Sequence, residues 1–170
     1  DAVSDETLLK NHYRCNQKII GFNNRKYYNS KLKIKTQSME SQPLLYVDMQ
    51  NAKSLEKNTS PSEAKEIARY VMQHQDKSIG IITPFVNQKN LIEKELKLAQ
   101  MDHVVCGTVH AFQGDEKDII LFSTAITDQT QKTTYEWLKN NKELINVATS
   151  RAKDKLILMS SRKNLERLHS

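Results

Sequence analysis

The stretch GTVHAFQGDEKDIILFSTAI, residues 107 to 126, is the most informative part of this sequence about its fold. Polar and charged side chains fill its first half, and an apolar run from Ile119 to Phe122 follows directly. A short apolar run rich in β-branched residues is typical of a strand that is buried on both faces. So many hydrogen-bonding groups immediately before a buried strand need an explanation, and the neighbouring segments supply one.

Other runs of the same character alternate with segments of helical periodicity. The strand-like runs are Leu44 to Val47, Ile79 to Ile82, Val104 to Val105 and Leu156 to Met159. Two helices are predicted to follow a cap-and-proline pair: one after Ser60-Pro61, with the apolar face Ala64, Ile67, Ala68 and Val71, and one after Thr83-Pro84, with the apolar face Phe85, Ile92, Leu96 and Ala99. Two more are predicted over Tyr135 to Arg151, with a break near Asn140-Asn141, and over Lys163 to His169. Strands that are apolar throughout and alternate with helices predict an α/β fold, a mostly parallel sheet with helices on both faces.

Length and composition limit the class of protein. The 170 residues suit a single domain, residues 1–170, and 38% apolar with 27% charged residues is a globular profile. No window approaches the roughly 18 apolar residues of a membrane span, so no membrane partner is expected. Cys15 and Cys106 lie in unrelated contexts, which favours a cytoplasmic protein without disulfides. The chain begins with Asp1 rather than Met, as a piece of a larger protein would.

The net charge of +6 is concentrated in one segment. From Lys10 to Lys35 there are eight basic residues and no acidic one, and four aromatic residues are interleaved with them: Tyr13, Phe22, Tyr27 and Tyr28. Such a strip is typical of surfaces that bind phosphates or stack unpaired bases. A solvated surface whose aromatic rings point into the core fits the composition equally well.

Two strand ends carry candidate ligand-binding groups. In open parallel sheets, ligands gather at the carboxyl ends of strands and the amino ends of the following helices. Ile81 to Pro84 is interpreted as strand, cap and helix start, and Val104 to Gln113 as strand and polar turn. We expect these two junctions on one edge of the sheet.

Common catalytic motifs are missing from the chain. None of the four glycines belongs to a GxxxxGK[ST] or GxGxxG pattern, so the chain lacks a phosphate-cradling loop of its own. The five histidines are scattered, which predicts no zinc site. Trp137, Tyr135 and Leu138 are interpreted as helix residues that pack in the core rather than as a base-stacking platform. The polar run from Thr127 to Thr134 is predicted to be a surface loop.

Four segments resemble motifs of superfamily 1 helicases, in the order that the family has them. Asn146 to Lys153 (Asn-Val-Ala-Thr-Ser-Arg-Ala-Lys) resembles motif VI, and Gly107 to Asp118 resembles motif V with its Gln-Gly-x-Glu core. Ile79 to Phe85 is similar to motif IV. Leu9 to Arg14 resembles the Leu-x-x-x-Tyr-Arg segment that opens the second RecA-like domain of the Upf-like branch. The resemblance implies a RecA-like domain whose phosphate loop belongs to a preceding, N-terminal RecA-like domain.

The resemblance also implies roles for particular residues. ATP with Mg²⁺ would be held mainly by the N-terminal domain, and the loop before Ile119 would serve two ligands, the nucleotide and a single strand of DNA or RNA. The implied roles are Arg151 as arginine finger with Arg14 as a second cation, Gln113, Gly114 and Glu116 on the nucleotide, and Thr83, Pro84, Thr108 and His110 on the nucleic acid. The sequence does not distinguish DNA from RNA.

Two departures from the family pattern and two competing interpretations accompany this assignment. The family follows Tyr-Arg with Met-His-Pro, where this chain has Cys15-Asn16-Gln17, and Ser150 replaces the usual threonine. For Arg151, a surface ion pair with Asp154 is the ordinary alternative. For the whole chain, the alternative is a non-catalytic RecA-like module that binds nucleic acid or a protein partner. Retention of Arg151 and Glu116 favours the motor domain.

Overall fold

Seven strands form one sheet in the computed structural model of the protein. The structure describes residues 13–15, 26–30, 44–52, 54–112 and 115–169; for 13–15, 26–30 and His110 the description covers the main chain only. The strands are β1 (Tyr13–Cys15), β2 (Lys26–Ser30), β3 (Leu44–Asp48), β4 (Ile79–Ile82), β5 (Val105–Gly107), β6 (Lys117–Ser123) and β7 (Ala152–Ser160). Their order across the sheet is β1-β2-β3-β7-β6-β4-β5.

Five of these strands are parallel, as the sequence predicts. β3 pairs with β7, β7 with β6, β6 with β4 and β4 with β5, all in parallel register. β1 and β2 extend the sheet in antiparallel register beyond β3, and they were not predicted. Both lie within the basic segment from Lys10 to Lys35.

Helices cover both faces of the sheet, which confirms the predicted architecture. The helices are α1 (Pro61–Gln73), α2 (Val86–Leu98), α3 (Lys132–Asn140), α4 (Glu143–Ser150) and α5 (Arg162–His169), and a 3₁₀ helix spans Val109–Phe112. One core cluster joins the inner faces of α1 and α2 to the sheet through Ile67, Ile92 and Leu96. A second cluster on the other face contains Phe112 of the 3₁₀ helix and Ala148 of α4.

Several helix predictions are confirmed. Ser60 is the N-cap of α1, where its hydroxyl accepts the amide of Glu63 at 3.2 Å and Pro61 occupies the first turn. The predicted break after Asn140 separates α3 from α4. The cause is visible locally, because Asn141 caps α3 through its main-chain amide on the Leu138 carbonyl.

Three sequence predictions are wrong. α2 does not begin at Thr83-Pro84: Phe85 is its N-cap, and its first helical residue is Val86. The run from Thr127 to Thr134 is not wholly a surface loop, because Thr127 is buried and α3 begins at Lys132. Trp137 is not a core residue, since 46% of it is exposed.

No helix among the described residues is both long and apolar enough to span a membrane.

Candidate nucleotide and nucleic-acid surfaces

The segment between β5 and β6 connects opposite edges of the sheet. β5 and β6 both run parallel to β4, so Gly107 lies at the carboxyl edge and Lys117 at the amino edge. The 3₁₀ helix lies between them, with Val109 and Phe112 buried against the sheet. The polar loop before Ile119 can therefore serve two separate surfaces, one at each edge.

Two glycines allow the 3₁₀ helix to lie close to the strands. A β-carbon on Gly107 would stand 2.5 Å from the β-carbon of Ala111, and one on Gly80 would stand 2.6 Å from the Phe112 ring. Both distances are shorter than real contacts allow. The two glycines therefore let the 3₁₀ helix lie closer to the sheet than residues with a β-carbon would allow.

Arg151 lies at the amino edge, directly ahead of β7. It is the C-cap of α4, and its carbonyl oxygen accepts the amide of Lys117 at 2.9 Å. This bond joins the motif VI segment to the end of the motif V segment. Lys117 is also the register partner of Ala152, the residue after Arg151.

The guanidinium of Arg151 is only partly satisfied within the described residues. Its Nη1 donates to the Ser150 hydroxyl at 3.3 Å, whereas its buried Nε has no hydrogen-bond partner. The described part of the chain provides no carboxylate in ion-pair distance of it. The expected alternative partner, Asp154, instead lies 3.9 Å from Lys77. Unused donors on a half-buried guanidinium are suited to an oxyanion ligand.

Of the other residues predicted to contact the nucleotide, only Glu116 has a described position at the same edge as Arg151. Glu116 is exposed and precedes Lys117, so its main chain lies at the same edge as Arg151. Gln113 and Gly114 lie outside the described residues. Arg14 is on β1, in register with Asn29, and its side chain is not described. β2 and β3 separate β1 from β7, which places Arg14 roughly 14 Å from β7 at the usual strand spacing.

The carboxyl edge brings together the residues predicted on nucleic acid. The amide of Thr83 donates to the carbonyl of Gly107 at 3.1 Å, so the ends of β4 and β5 are adjacent, as expected. The Thr83 side chain is buried, and its hydroxyl accepts the Phe85 amide at 3.4 Å. Pro84 and Thr108 are half-buried. The main chain of His110 belongs to the 3₁₀ helix that follows.

The start of α2 places main-chain donors without a side-chain cap at this edge. Phe85 makes no side-chain cap, and the first amides of any α-helix lack intrahelical acceptors. Together with the helix dipole, such amides favour a phosphate. The later start of α2 therefore moves the expected anion position from Thr83 to the residues after Phe85.

A buried polar network lies next to the start of α2, at the same carboxyl edge, and was missed by the sequence analysis. Glu63 of α1 is fully buried, and its carboxylate accepts the Ser123 hydroxyl at 2.6 Å, the Ala125 amide at 3.0 Å and the Asn51 side-chain amide. Burial raises the pKa of Glu63 to about 7, against the opposing effect of these hydrogen bonds. Ser60-Pro61-Ser62-Glu63 has the spacing of a capping box, which would have predicted an exposed carboxylate at the helix start.

Gln88 extends this network to α2. Its side chain accepts the Ser60 amide at 2.8 Å and donates to the Ser123 hydroxyl at 3.0 Å. The network therefore fixes the starts of α1 and α2 against the carboxyl end of β6. The described residues contain no cluster of three potential metal ligands.

Comparison with known proteins agrees with the geometry. The AAA domain family matches residues 2–163, and the chain belongs to that family. Within it, the chain is the second, C-terminal RecA-like domain of a superfamily 1 helicase of the Upf-like branch.

Named relatives come from several kingdoms. The chain is 33% identical over 114 residues, 64% of its length, to the DNA replication ATP-dependent helicase/nuclease JHS1 of Arabidopsis thaliana. It is 27% identical over 91% of its length to an ATP-dependent helicase of Methanocaldococcus jannaschii and to the RNA helicase Mov10l1 of Mus musculus. The chain spans only 8%, 26% and 15%, respectively, of the lengths of these three relatives.

Proposed function

We propose that this chain is the C-terminal motor domain of an ATP-dependent helicase, in which it completes the ATP site and grips a single nucleic-acid strand. The observation that carries the proposal is the Arg151 guanidinium, which has an unpartnered Nε and no described carboxylate beside it. The names of the relatives, ATP-dependent helicases in several organisms, support the reaction class.

In this proposal the amino edge faces the nucleotide. ATP with Mg²⁺, held mainly by an N-terminal RecA-like domain, supplies the phosphoryl group whose transfer to water releases the energy for movement. Arg151 neutralises the negative charge that develops on that group, and its planar fork contacts two oxygens at once. Glu116 accepts hydrogen bonds from the ribose hydroxyls, and Arg14 is a second cation near the γ-phosphate. Gln113 and Gly114 connect the nucleotide to the strand-binding loop.

The carboxyl edge holds the strand. The turn at Thr83 and Pro84 presents the first amides of α2 to a backbone phosphate, and Thr108 and His110 contact the same strand from the neighbouring loop. The segment from Thr108 to Glu116 joins the two edges, so a change in its position on ATP binding moves the strand contacts. In this proposal the strand is single-stranded DNA or RNA, and the protein works in the cytoplasm, as its two unrelated cysteines predict.

The test is Arg151→Ala in a protein that carries this chain together with its N-terminal RecA-like domain. ATP turnover should fall by about 10³- to 10⁵-fold, the range of arginine fingers, while affinity for a single-stranded oligonucleotide stays within about twofold. Lys153→Ala, which removes an exposed cation two residues away, is the matched control and should retain turnover.

Turnover retained in Arg151→Ala would contradict the catalytic role. A wild-type protein that binds oligonucleotide but never hydrolyses ATP would instead identify the non-catalytic module that the sequence leaves as the alternative.

A further inference from the structure

Exposed Trp137 and half-buried Phe85 form an aromatic pair at the carboxyl edge. Their ring centroids are 5.9 Å apart with an interplanar angle of 40°. Phe85 is the N-cap of α2, immediately after the Thr83-Pro84 turn, whereas Trp137 lies on α3, which follows the carboxyl end of β6. The pair therefore lies beside the amides proposed to hold a backbone phosphate.

The exposure of Trp137 follows from the orientation of α3. Tyr135 is buried in a small apolar cluster with Leu165 and Leu168 of α5, and Leu138 packs against that cluster. A residue two positions after Tyr135 lies about 200° around the helix, so Trp137 points away from the cluster. The core of this region is complete without the indole ring, and Trp137 is available to a ligand.

The pair lines an open groove of about 480 Å³, within the size range of ligand sites. Its other lining residues are Asn58, Pro84, Val86, Asn87, Thr133 and Thr134. None of the lining residues is charged. The side-chain amide of Asn87 donates to the Lys57 carbonyl at 3.1 Å, which orients it at the rim. Flat rings with amide and hydroxyl groups around them match a nucleobase, which has two π-faces and a polar edge.

Two lysines and one ion-paired carboxylate adjoin the groove: Glu136, which precedes Trp137, lies 2.9 Å from the Lys139 ammonium group, so the excess charge is positive. Lys57 and Lys132 are exposed and precede the lining residues Asn58 and Thr133 in the chain. A neutral, aromatic groove between cations and beside open helix amides suits one unpaired base of a strand whose phosphates stay outside. A protein partner's apolar side chain would use the rings but not this polar rim or the flanking lysines.

We propose that Trp137 and Phe85 form a stacking platform for an unpaired base of the single-stranded nucleic acid, adjacent to the phosphate contact at the start of α2. This inference rests on the proposed function and adds a residue, Trp137, that none of the four helicase-like motifs contains. Because stacking is tolerant of sequence, the platform adds affinity without base preference.

Trp137 is the only tryptophan of the chain, so its fluorescence reports directly on the platform. Titration of the 170-residue chain with a short oligothymidylate or oligouridylate should quench its emission. An abasic oligonucleotide of equal length, which has the phosphates but no bases, should bind by anisotropy without the same quenching. The two base-containing arms also show whether DNA or RNA is preferred.

Substitutions separate stacking from other contributions. Trp137→Ala should weaken oligonucleotide binding by roughly 5- to 150-fold, whereas Trp137→Phe, which keeps a ring, should lose much less. The slope of affinity against salt should be unchanged in both, because stacking releases no counterions. Leu98→Ala, which shortens another exposed apolar side chain at the far end of α2, is the matched control and should bind as the wild type does.

Each outcome bears on the proposal. Tight binding with unquenched tryptophan, or equal affinity in Trp137→Ala, would overturn the platform and leave the proposed function standing. Equal quenching by the abasic oligonucleotide would show that phosphates rather than bases approach Trp137, and would also overturn it. A chain that binds no oligonucleotide even at low salt would overturn both the platform and the proposed strand contact.

Discussion

The main-chain amide of Lys117 donates a 2.9 Å hydrogen bond to the carbonyl oxygen of Arg151. Lys117 is the first residue of β6, and Arg151 immediately precedes β7. One main-chain bond therefore ties the proposed arginine finger to the start of β6, directly after the loop whose other end lies at the carboxyl edge. Side-chain substitutions at position 151 leave this bond in place, so they can test chemistry without moving the loop.

Arg151→Lys keeps the charge and the main-chain bond but removes the planar fork. We expect ATP turnover in the protein with both RecA-like domains to fall by roughly tenfold or more, because an ammonium group cannot bind two phosphoryl oxygens in the same way. Thermal unfolding should be nearly unchanged, since the Arg151 side chain makes a single hydrogen bond, of 3.3 Å, to the described residues. Turnover equal to that of the wild type would show that charge alone suffices and that the fork is not used.

Glu63 makes the stability of the domain depend on pH. Its pKa is about 7 in the folded chain and 4.5 as the ordinary value, so the folded state holds a proton that the unfolded state releases between these values. The free energy of unfolding is therefore highest, with respect to this group, below pH 4.5 and falls as the pH rises to 7, by about 3 kcal/mol. Denaturant unfolding at several pH values measures this slope.

Glu63→Gln is the control for that slope. The variant cannot ionise at position 63, so its free energy of unfolding lacks this pH dependence. Relative to the variant, the free energy of unfolding of the wild type should therefore fall by about 3 kcal/mol as the pH rises across the same range. The variant also carries an amide that faces the donating Asn51 side chain, which lowers its stability at every pH without adding a slope. A constant difference would place an ordinary pKa on Glu63.

The sheet could be predicted from the sequence because its strands are buried on both faces. Runs such as Ile79 to Ile82 are apolar at every position, which is the pattern of a central parallel strand, and the structure has β4 at these residues. Ser60-Pro61 fixed the start of α1 for an equally local reason. The antiparallel strands β1 and β2 have no such run, because charged and polar residues interrupt them, and they could not be found in this way.

The candidate site was predictable only in part. The positions of Arg151 and Thr108 follow from strand ends, which sequence patterns indicate. The start of α2 was misplaced because Thr-Pro is a common helix start, whereas here the Thr83 amide still pairs with the Gly107 carbonyl and the first helical residue is Val86. Trp137 was misassigned because a large apolar residue on an amphipathic helix usually packs inward. Only the tertiary contacts of Tyr135 and Leu138 show that these two residues lie on the buried face of α3 and that Trp137 lies on its exposed face.

Ser78 and Asp118 form a reciprocal pair near the amino edge. The Ser78 amide donates to the Asp118 carboxylate at 3.0 Å, and the Ser78 hydroxyl accepts the Asp118 amide at 2.8 Å. The Ser78 main chain and then its side chain hold the pKa of Asp118 below its ordinary value. Ser78→Ala should raise the pKa of Asp118 only part of the way back, because the main-chain donor remains, and NMR titration of the carboxyl carbon measures it. A full return to the ordinary value would show that the hydroxyl alone is responsible.

Substitutions at Gly107 and Ala111 test whether the close contact between β5 and the 3₁₀ helix fixes the position of the loop. Gly107→Ala places a β-carbon 2.5 Å from that of Ala111, so the 3₁₀ helix must move away, and we expect a loss of about 1–3 kcal/mol in stability together with weaker oligonucleotide binding. Ala111→Gly removes the atom that the new methyl group meets. The double variant Gly107→Ala/Ala111→Gly should therefore recover most of the binding, although glycine at an exposed helical position costs up to about 1 kcal/mol by itself.

A double-mutant cycle on binding and on the free energy of unfolding measures the coupling. Additive losses would mean that the 3₁₀ helix does not rest on Gly107, and that the close approach of loop and strand is unimportant for the carboxyl edge.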